Sequence, residues 1–331
     1  MNKFNLEKFL ETYYKENEPI ILACSTWPDS MFLLYKILET KYAKNLVACY
    51  FNHKLRPESD KEEQFLEELW KKHWFIVEIA DANIKQIRDK FYPSKWLEEV
   101  ARDKRYAFFN ALLNIYTSTN KIITAHHLDD KIETFFFNLV RWTKLTWLIN
   151  MKKNSWAILR PLLNLEKKEI LEYLDKNKLE YKIDESNFDT TITRNNLRHN
   201  IIPKFNEINS SYKENINNLS KYLEEVKEYL DKEVKDFLKE QWILIFNSWK
   251  YKINTLEINW YFYIKDFISL SSLLQKEIIR HIFYISNNKS TIWLSEANIN
   301  EIIKFINWKN NKTIKEIKNL KMKKENEIII F

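Results

Sequence analysis

Residues 20–30 read Ile-Ile-Leu-Ala-Cys-Ser-Thr-Trp-Pro-Asp-Ser, an apolar run that passes directly into hydroxyls and one carboxylate. A helical pattern over residues 30–41 follows at once. A short buried strand that enters a helix through a polar turn is the opening step of a strand–helix crossover. In such a turn the backbone N–H groups, the helix N-terminus and the hydroxyls of Ser25, Thr26 and Ser30 gather around one point, which suits an anion. The plainer reading is a Ser or Asp capping an ordinary helix. One residue speaks against the anion: Trp27 stands where a phosphate cradle needs glycine.

Outward from that stretch, residues 46–51, 75–79 and 121–125 repeat the strand pattern, with helical periodicity over 61–72 and 97–116 between them. This alternation predicts an α/β fold, a Rossmann-like parallel sheet covered by helices, with ligands at the carboxyl ends of the strands. Helical patterning continues over 128–140 and 166–176. Near residue 210 the texture changes. Residues 212–239 read as a long charged helix, then 243–246, 250–253 and 255–263 as a small antiparallel element. Residues 270–286 and 295–306 return to helix, and the tail from Thr313 alternates like an edge strand. The expected division is an α/β domain at 1–210 and a smaller, mainly helical domain at 211–331.

The chain is basic, with a formal net charge of +7, which suits a polyanion such as RNA through counterion release. Cys24 and Cys49 lie in apolar strand-like runs with no CxxC pair, so buried free thiols in a reducing compartment are expected. The first 18 residues mix acids into an amphipathic pattern unlike a signal peptide, and no apolar run has the length of a membrane span. A cytoplasmic protein is expected.

Glycine is absent from all 331 residues and tryptophan occurs 12 times, whereas ordinary chains carry roughly 7% glycine. Several tryptophans occupy glycine sites: Asn259-Trp260 between strand-like runs, Ser248-Trp249 in a similar gap, and Trp74 and Trp308 just past helices. Genuine indoles favour buried sites with a paired N–H. The expectation is that a codon read in the cell as glycine is written here as tryptophan, and that Trp27 and Trp260 are strained or unusually exposed.

A second constellation, Thr124-Ala125-His126-His127-Leu128-Asp129-Asp130-Lys131-Ile132-Glu133-Thr134, ends a strand and opens a helix. Asp130 and Glu133 share a helix face, as do His126 and Asp130. Carboxylates clustered there can bind magnesium or clamp an amino group, and the spacing of a zinc site is absent.

With glycine at 27, residues 25–30 resemble the SGGxDS signature of the PP-loop ATP pyrophosphatases. Residues 124–134, with Asn138, Arg141 and Trp142-Thr143, resemble the pattern of the tRNA(Ile)-lysidine synthase family within that superfamily. Further matches follow in family order: 52–59 (NHKLRPES), 98–106 (EEVARDKRY), 160–163 (RPLL), 184–187 (DESN) and 194–198 (RNNLR). The resemblance spans about residues 20–203 and becomes loose beyond 210.

The resemblance implies an adenine nucleotide alpha hydrolase-like fold and an ATP-dependent ligase that forms a carbon–nitrogen bond. ATP would adenylate O2 of the wobble cytidine in the isoleucine tRNA with anticodon CAU, and free lysine would then displace AMP from carbon 2. It places ATP on Ser25, Thr26, Trp27, Pro28, Asp29 and Ser30, with Asp29, and Asp129 beside it, toward magnesium. Asp130 and Glu133 fall to the lysine ammonium, because paired carboxylates give that cation both charge and acceptors. Arg102, Arg105, Arg194 and Arg198 fall to tRNA phosphate or the cytidine, with Arg194 in the catalytic set. Two alternatives stand beside this: a thiolase of the same superfamily, which needs cysteines to carry sulfur, and an inactive RNA-binding relative if Trp27 is genuine.

Overall fold

The structure, a computed structural model, describes residues 4–55, 59–141, 145–149, 151–182, 193–247, 261–287, 294–309 and 313–331. Two compact units emerge, Met1–Lys221 and Tyr222–Phe331.

In the first unit, β1 (Ile20–Ala23), β2 (Leu46–Asn52), β3 (Ile76–Asp81), β4 (Ile122–Ile123), β5 (Asn154–Ser155) and β6 (Ile158–Leu159) form one sheet. The strand order is β3-β2-β1-β4-β6-β5, parallel throughout except that β5 runs against β6. The helices are α1 (Leu6–Tyr13), α2 (Pro28–Leu38), α3 (Ser59–His73), α4 (Ile84–Phe91), α5 (Leu97–Ile115), α6 (Leu128–Arg141), α7 (Leu145–Leu148), α8 (Lys167–Lys176), α9 (Thr193–Asn196) and α10 (Ile202–Ile208).

The two-residue period of a strand sorts its side chains between two helical layers. Ile20 and Leu22 join the core with Phe32, Leu33 and Ile37 of α2 and Ile170 of α8. Ile21 faces the other way and meets Val47, Cys49 and, from α5, Phe109 and Leu112. Burial on both faces explains why β1 reads as an unbroken apolar run. The strand order reverses between β1 and β4, so the loops that follow these two strands flank the crevice where open α/β sheets take ligands.

Helix α11 (Tyr212–Asn247) runs across the division between the units. It continues through 243–246, which the sequence reading gave to a strand. A four-residue apolar run does not by itself distinguish strand from helix, and a long helix propagates through it when no proline intervenes. In the second unit, β7 (Tyr261–Tyr263), β8 (Thr313–Ile317), β9 (Leu320–Glu325) and β10 (Ile328–Ile330) pair in the antiparallel order β7-β10-β9-β8. The tail is thus three strands rather than one, turned by Lys318 and Asn319, both with positive φ as a tight hairpin turn requires. Helices α12 (Ile264–Ser269), α13 (Ser272–Ser286) and α14 (Glu296–Asn307) share a core with this sheet through Phe267, Ile279, Ile302 and Ile329.

The tryptophans divide. Trp74, at the end of α3, has φ 58, and Trp156, in the turn between β5 and β6, has φ 46; they are 82% and 74% exposed. Trp308 is extended, with φ −69. At Trp27 the expectation of strain fails: its φ of −78 is ordinary and it is partly buried, while the left-handed conformation falls on Thr26 at φ 62. Trp249 and Trp260 lie outside the described residues, as do 250–253 and 184–187.

Candidate active site

The loop after β1 is tied by its own hydroxyls. Ser30 Oγ accepts from the Ser25 backbone N–H at 3.1 Å, lies 3.2 Å from Ser25 Oγ, and donates to the carbonyl of Trp27 at 3.0 Å. Thr26 is fully buried, and its carbonyl accepts from the N–H of Lys182 at 3.0 Å. This bracing holds a left-handed residue other than glycine and starts α2 at Pro28, where a proline is pre-set for a first helical position. Trp27 makes no side-chain cap, and Asp29 stands in the first turn of α2.

Two more helices begin at the same place. Leu128 opens α6 with Asp129 and Asp130 in its first turn, and Glu166 caps α8 in a capping box with Glu169. Carboxylates are favoured at helix N-termini, but several together require cations between them. Lys167 Nζ is 2.6 Å from Asp29, and the Lys167 backbone N–H donates to Asp129 at 2.7 Å. Lys213, from the first turn of α11, donates to Asp129 at 2.6 Å and to Glu166 at 2.7 Å. His127 is buried at the centre, 3.5 Å from a carboxylate oxygen of each of Asp29, Asp129 and Asp130.

The titrations follow from that packing. Burial alone would push the His127 imidazole down, but the charges of Asp130, Asp129 and Asp29 hold it above its usual value. Burial would raise Asp129, yet hydrogen bonds from His127, Lys213 and the Lys167 N–H hold its carboxyl well below the usual carboxylate range. Asp130 is lowered against its burial by His127 and His126 and by the N–H of His127, which donates to it at 3.0 Å.

One helical turn along α6, Glu133 is 3% exposed and carries two arginines. Arg198 grips it with Nε and with Nη2, the latter at 2.8 Å, and Arg194 Nε lies 3.4 Å away. Arg198 Nη2 also stands 3.7 Å from Asp130. Arg198 sits in a π-helical turn, Leu197–Ile201, between α9 and α10, and Pro203 in the first turn of α10 lacks the N–H that regular helix would use.

His126 has a different environment. Its Nδ1 is 2.9 Å from Thr124 Oγ1, and burial, with Arg160, Arg105 and Arg194 nearby outweighing Asp130, depresses it to about 4. The ring is therefore neutral at physiological pH. Between pH 6.5 and about 4 the unfolded chain takes up this proton and the folded chain does not, so stability falls as pH falls across that window and levels off below it. The contribution is at most about 3 kcal/mol. Urea-unfolding midpoints measured across this range should slope less steeply in His126→Gln than in the parent, and parallel slopes would refute the assignment.

A loop of hydroxyls at the N-terminus of the helix that follows the first strand, with helix-start carboxylates of β1 and β4 facing across the sheet reversal, is a nucleotide-phosphate geometry. The PP-loop domain model matches residues 2–205. The chain belongs to the PP-loop family. Among curated relatives of this PP-loop protein, the tRNA(Ile)-lysidine synthase of Persephonella marina is 32% identical over 235 residues, covering 69% of this chain and 51% of the relative. That of Thermosipho africanus is 36% identical over 243 residues, covering 70% and 55%. The chain thus spans about half the length of the curated relatives it matches. Among solved structures, a U34-tRNA thiolase from Methanococcus maripaludis with a [4Fe-4S] cluster aligns at a TM-score of 0.53 and 16% identity, over 65% of this chain and 76% of that one, which shows the shared fold.

Of the residues that the PP-loop resemblance singles out, the structure brings together Asp29, Asp129, Asp130, Glu133, Arg194 and Arg198. Arg105 is near enough to His126 to lower its titration. Arg102 is exposed and lies over the Tyr106 ring at 4.9 Å. Sequence reading gave no role to Lys167, Glu166 and Lys213, and named Arg160 only as part of the RPLL match. The capping pair Glu166 and Glu169 was a usable signal for the start of α8, but nothing local marks Lys213. The two cysteines are buried free thiols, and burial raises Cys24 to about 11 and Cys49 further. No helix among the described residues is long and apolar enough to cross a membrane.

Proposed function

We propose that this PP-loop protein is a tRNA(Ile)-lysidine synthase, joining free L-lysine to carbon 2 of the wobble cytidine in the tRNA with anticodon CAU. The observation that carries the reading is the junction of Asp29, Asp129, Asp130 and Glu133 beside the hydroxyl loop, supported by relatives of that name at 32% and 36% identity. ATP would lie with its phosphates on residues 25–30. Asp29 offers hard oxygen donors at the loop mouth, the kind of single carboxylate that holds magnesium together with substrate phosphates. Magnesium bound there would neutralise charge that develops on the leaving phosphates.

In the first step, cytidine O2 attacks the α-phosphorus. The new O2–P bond forms as the bond to pyrophosphate breaks. In the second, the lysine ε-amine, having lost a proton, attacks carbon 2; the C–N bond forms and AMP departs with O2. Asp130 is the carboxylate best placed for the incoming ammonium, since Glu133 is held by the Arg198 fork. Glu133 then acts through the arginines, keeping Arg194 and Arg198 aimed at substrate phosphate or the cytidine. Catalysis is positioning and charge stabilisation.

The thiolase reading is disfavoured because both thiols are buried and raised in pKa, against the exposed, depressed thiol that sulfur transfer requires. Purified protein incubated with ATP, magnesium, lysine and the CAU tRNA should release AMP and pyrophosphate only when lysine and tRNA are both present. Binding of tRNA without AMP release would favour the inactive relative instead.

A further inference from the structure

We propose that Lys167 is the ligand for the pyrophosphate end of the nucleotide, paired with Asp29 until ATP arrives and then turned to the β- and γ-phosphates. The inference rests on the ATP site placed above at residues 25–30. Among the described residues, four side-chain cations besides His127 serve the carboxylates of this junction, and three of them pair with carboxylates other than Asp29. Lys213 is shared between Asp129 and Glu166 at 2.6 and 2.7 Å, and Arg198 and Arg194 are drawn to Glu133.

Lys167 differs in its partner: among the described residues it is the lysine paired with Asp29, at 2.6 Å, and its side chain is 34% exposed. Its backbone is fixed by the N–H bond to Asp129, so the ammonium swings on a flexible stem from an anchored base. Asp29 stands in the first turn of α2, directly after the loop, so an ammonium 2.6 Å from it is at the mouth of the cradle. A triphosphate seated on the loop competes with Asp29 for this cation, and a metal drawn to Asp29 removes the carboxylate as its partner. Both changes send the ammonium the same way, toward the leaving group.

The test compares ATP, inorganic pyrophosphate and AMP, each with magnesium, by titration calorimetry on the full chain without tRNA. Lys167→Met should weaken ATP and pyrophosphate by about tenfold or more and leave AMP unchanged, and Lys167→Arg should recover part of the loss. Equal weakening of AMP and ATP, or no weakening, overturns the proposal. If the parent chain itself binds no ATP, the nucleotide reading fails rather than the role of Lys167. Acetylation of the parent followed by mass spectrometry needs no variant: ATP should protect Lys167 and AMP should not, and protection by neither also overturns the proposal.

A separate observation carries a second inference: we infer that positions 74 and 156 are glycine in the protein the cell makes. The Trp74 N–H closes the end of α3 onto the carbonyl of Trp70 at 2.7 Å with φ 58, the left-handed helix cap. Trp156 opens a two-residue turn, since Ser155 pairs with Ile158, and its φ of 46 is what such a turn demands. Left-handed backbone costs a side chain with a Cβ roughly 1–2 kcal/mol, and indoles 82% and 74% exposed recover little by burial. Glycine pays none of this. A chain that forms such turns and has no glycine is consistent with a codon read as glycine and written as tryptophan. Peptide mass spectrometry of protein from its own cells should find both peptides lighter by the difference between an indolylmethyl group and hydrogen. Tryptophan in either peptide overturns the inference.

Discussion

Asp130→Asn should lower lysine-dependent turnover by about 100-fold or more while leaving ATP affinity within about twofold. Asparagine keeps the size of the side chain and an acceptor for the His127 N–H, and removes the negative charge. An ammonium that leaves water to dock beside Arg198 and His127 needs that charge, because both neighbours are cationic or share protons with carboxylates. Turnover measured against lysine concentration should show the defect. Pyrophosphate exchange into ATP with tRNA present, which reports adenylation without lysine, should survive. Wild-type dependence on lysine would remove Asp130 from the lysine site, and loss of exchange alongside turnover would move it to the adenylation step.

Trp27→Gly, made in a chain produced with tryptophan at 27, should tighten ATP binding by about tenfold or more. Trp27 has an extended backbone that any residue adopts, so the substitution relieves no strain there. What it removes is the Cβ and indole at the residue preceding Pro28, where phosphates must come close to the main chain. Glycine is also acceptable at a helix N-cap, so α2 should keep its start. Calorimetric titration with ATP checks this, with circular dichroism to confirm the fold. Unchanged or weaker affinity would mean that the loop accommodates tryptophan and that the phosphates approach from another side.

The fold was legible wherever neighbours in sequence carry the signal. The β1–loop–α2 passage, the crossover alternation and the start of α6 could be read because strand period, helix period and capping are local properties. Residues 243–246 could not, since their apolar run fits either element and the length of α11 decided it. The strain expected at Trp27 fell on Thr26 instead, because the loop shares one left-handed residue and the hydroxyl bracing determines which residue takes it.

In the site, the sequence by itself determined the carboxylates, their helix-start positions and the arginine spacing at 194 and 198. It did not determine how they are paired. Lys167 meets Asp29 across 138 positions of chain, and Lys213 meets Asp129 across 84. The family resemblance assigned Glu133 to a substrate cation; folding brings Arg194 and Arg198 onto it from α9 and the π-turn, leaving Asp130 more available. Charge type is written residue by residue, but which charges neutralise one another depends on distances of a few ångströms between distant segments. Only the assembled sheet, with three helix starts meeting where its strand order reverses, fixes those distances.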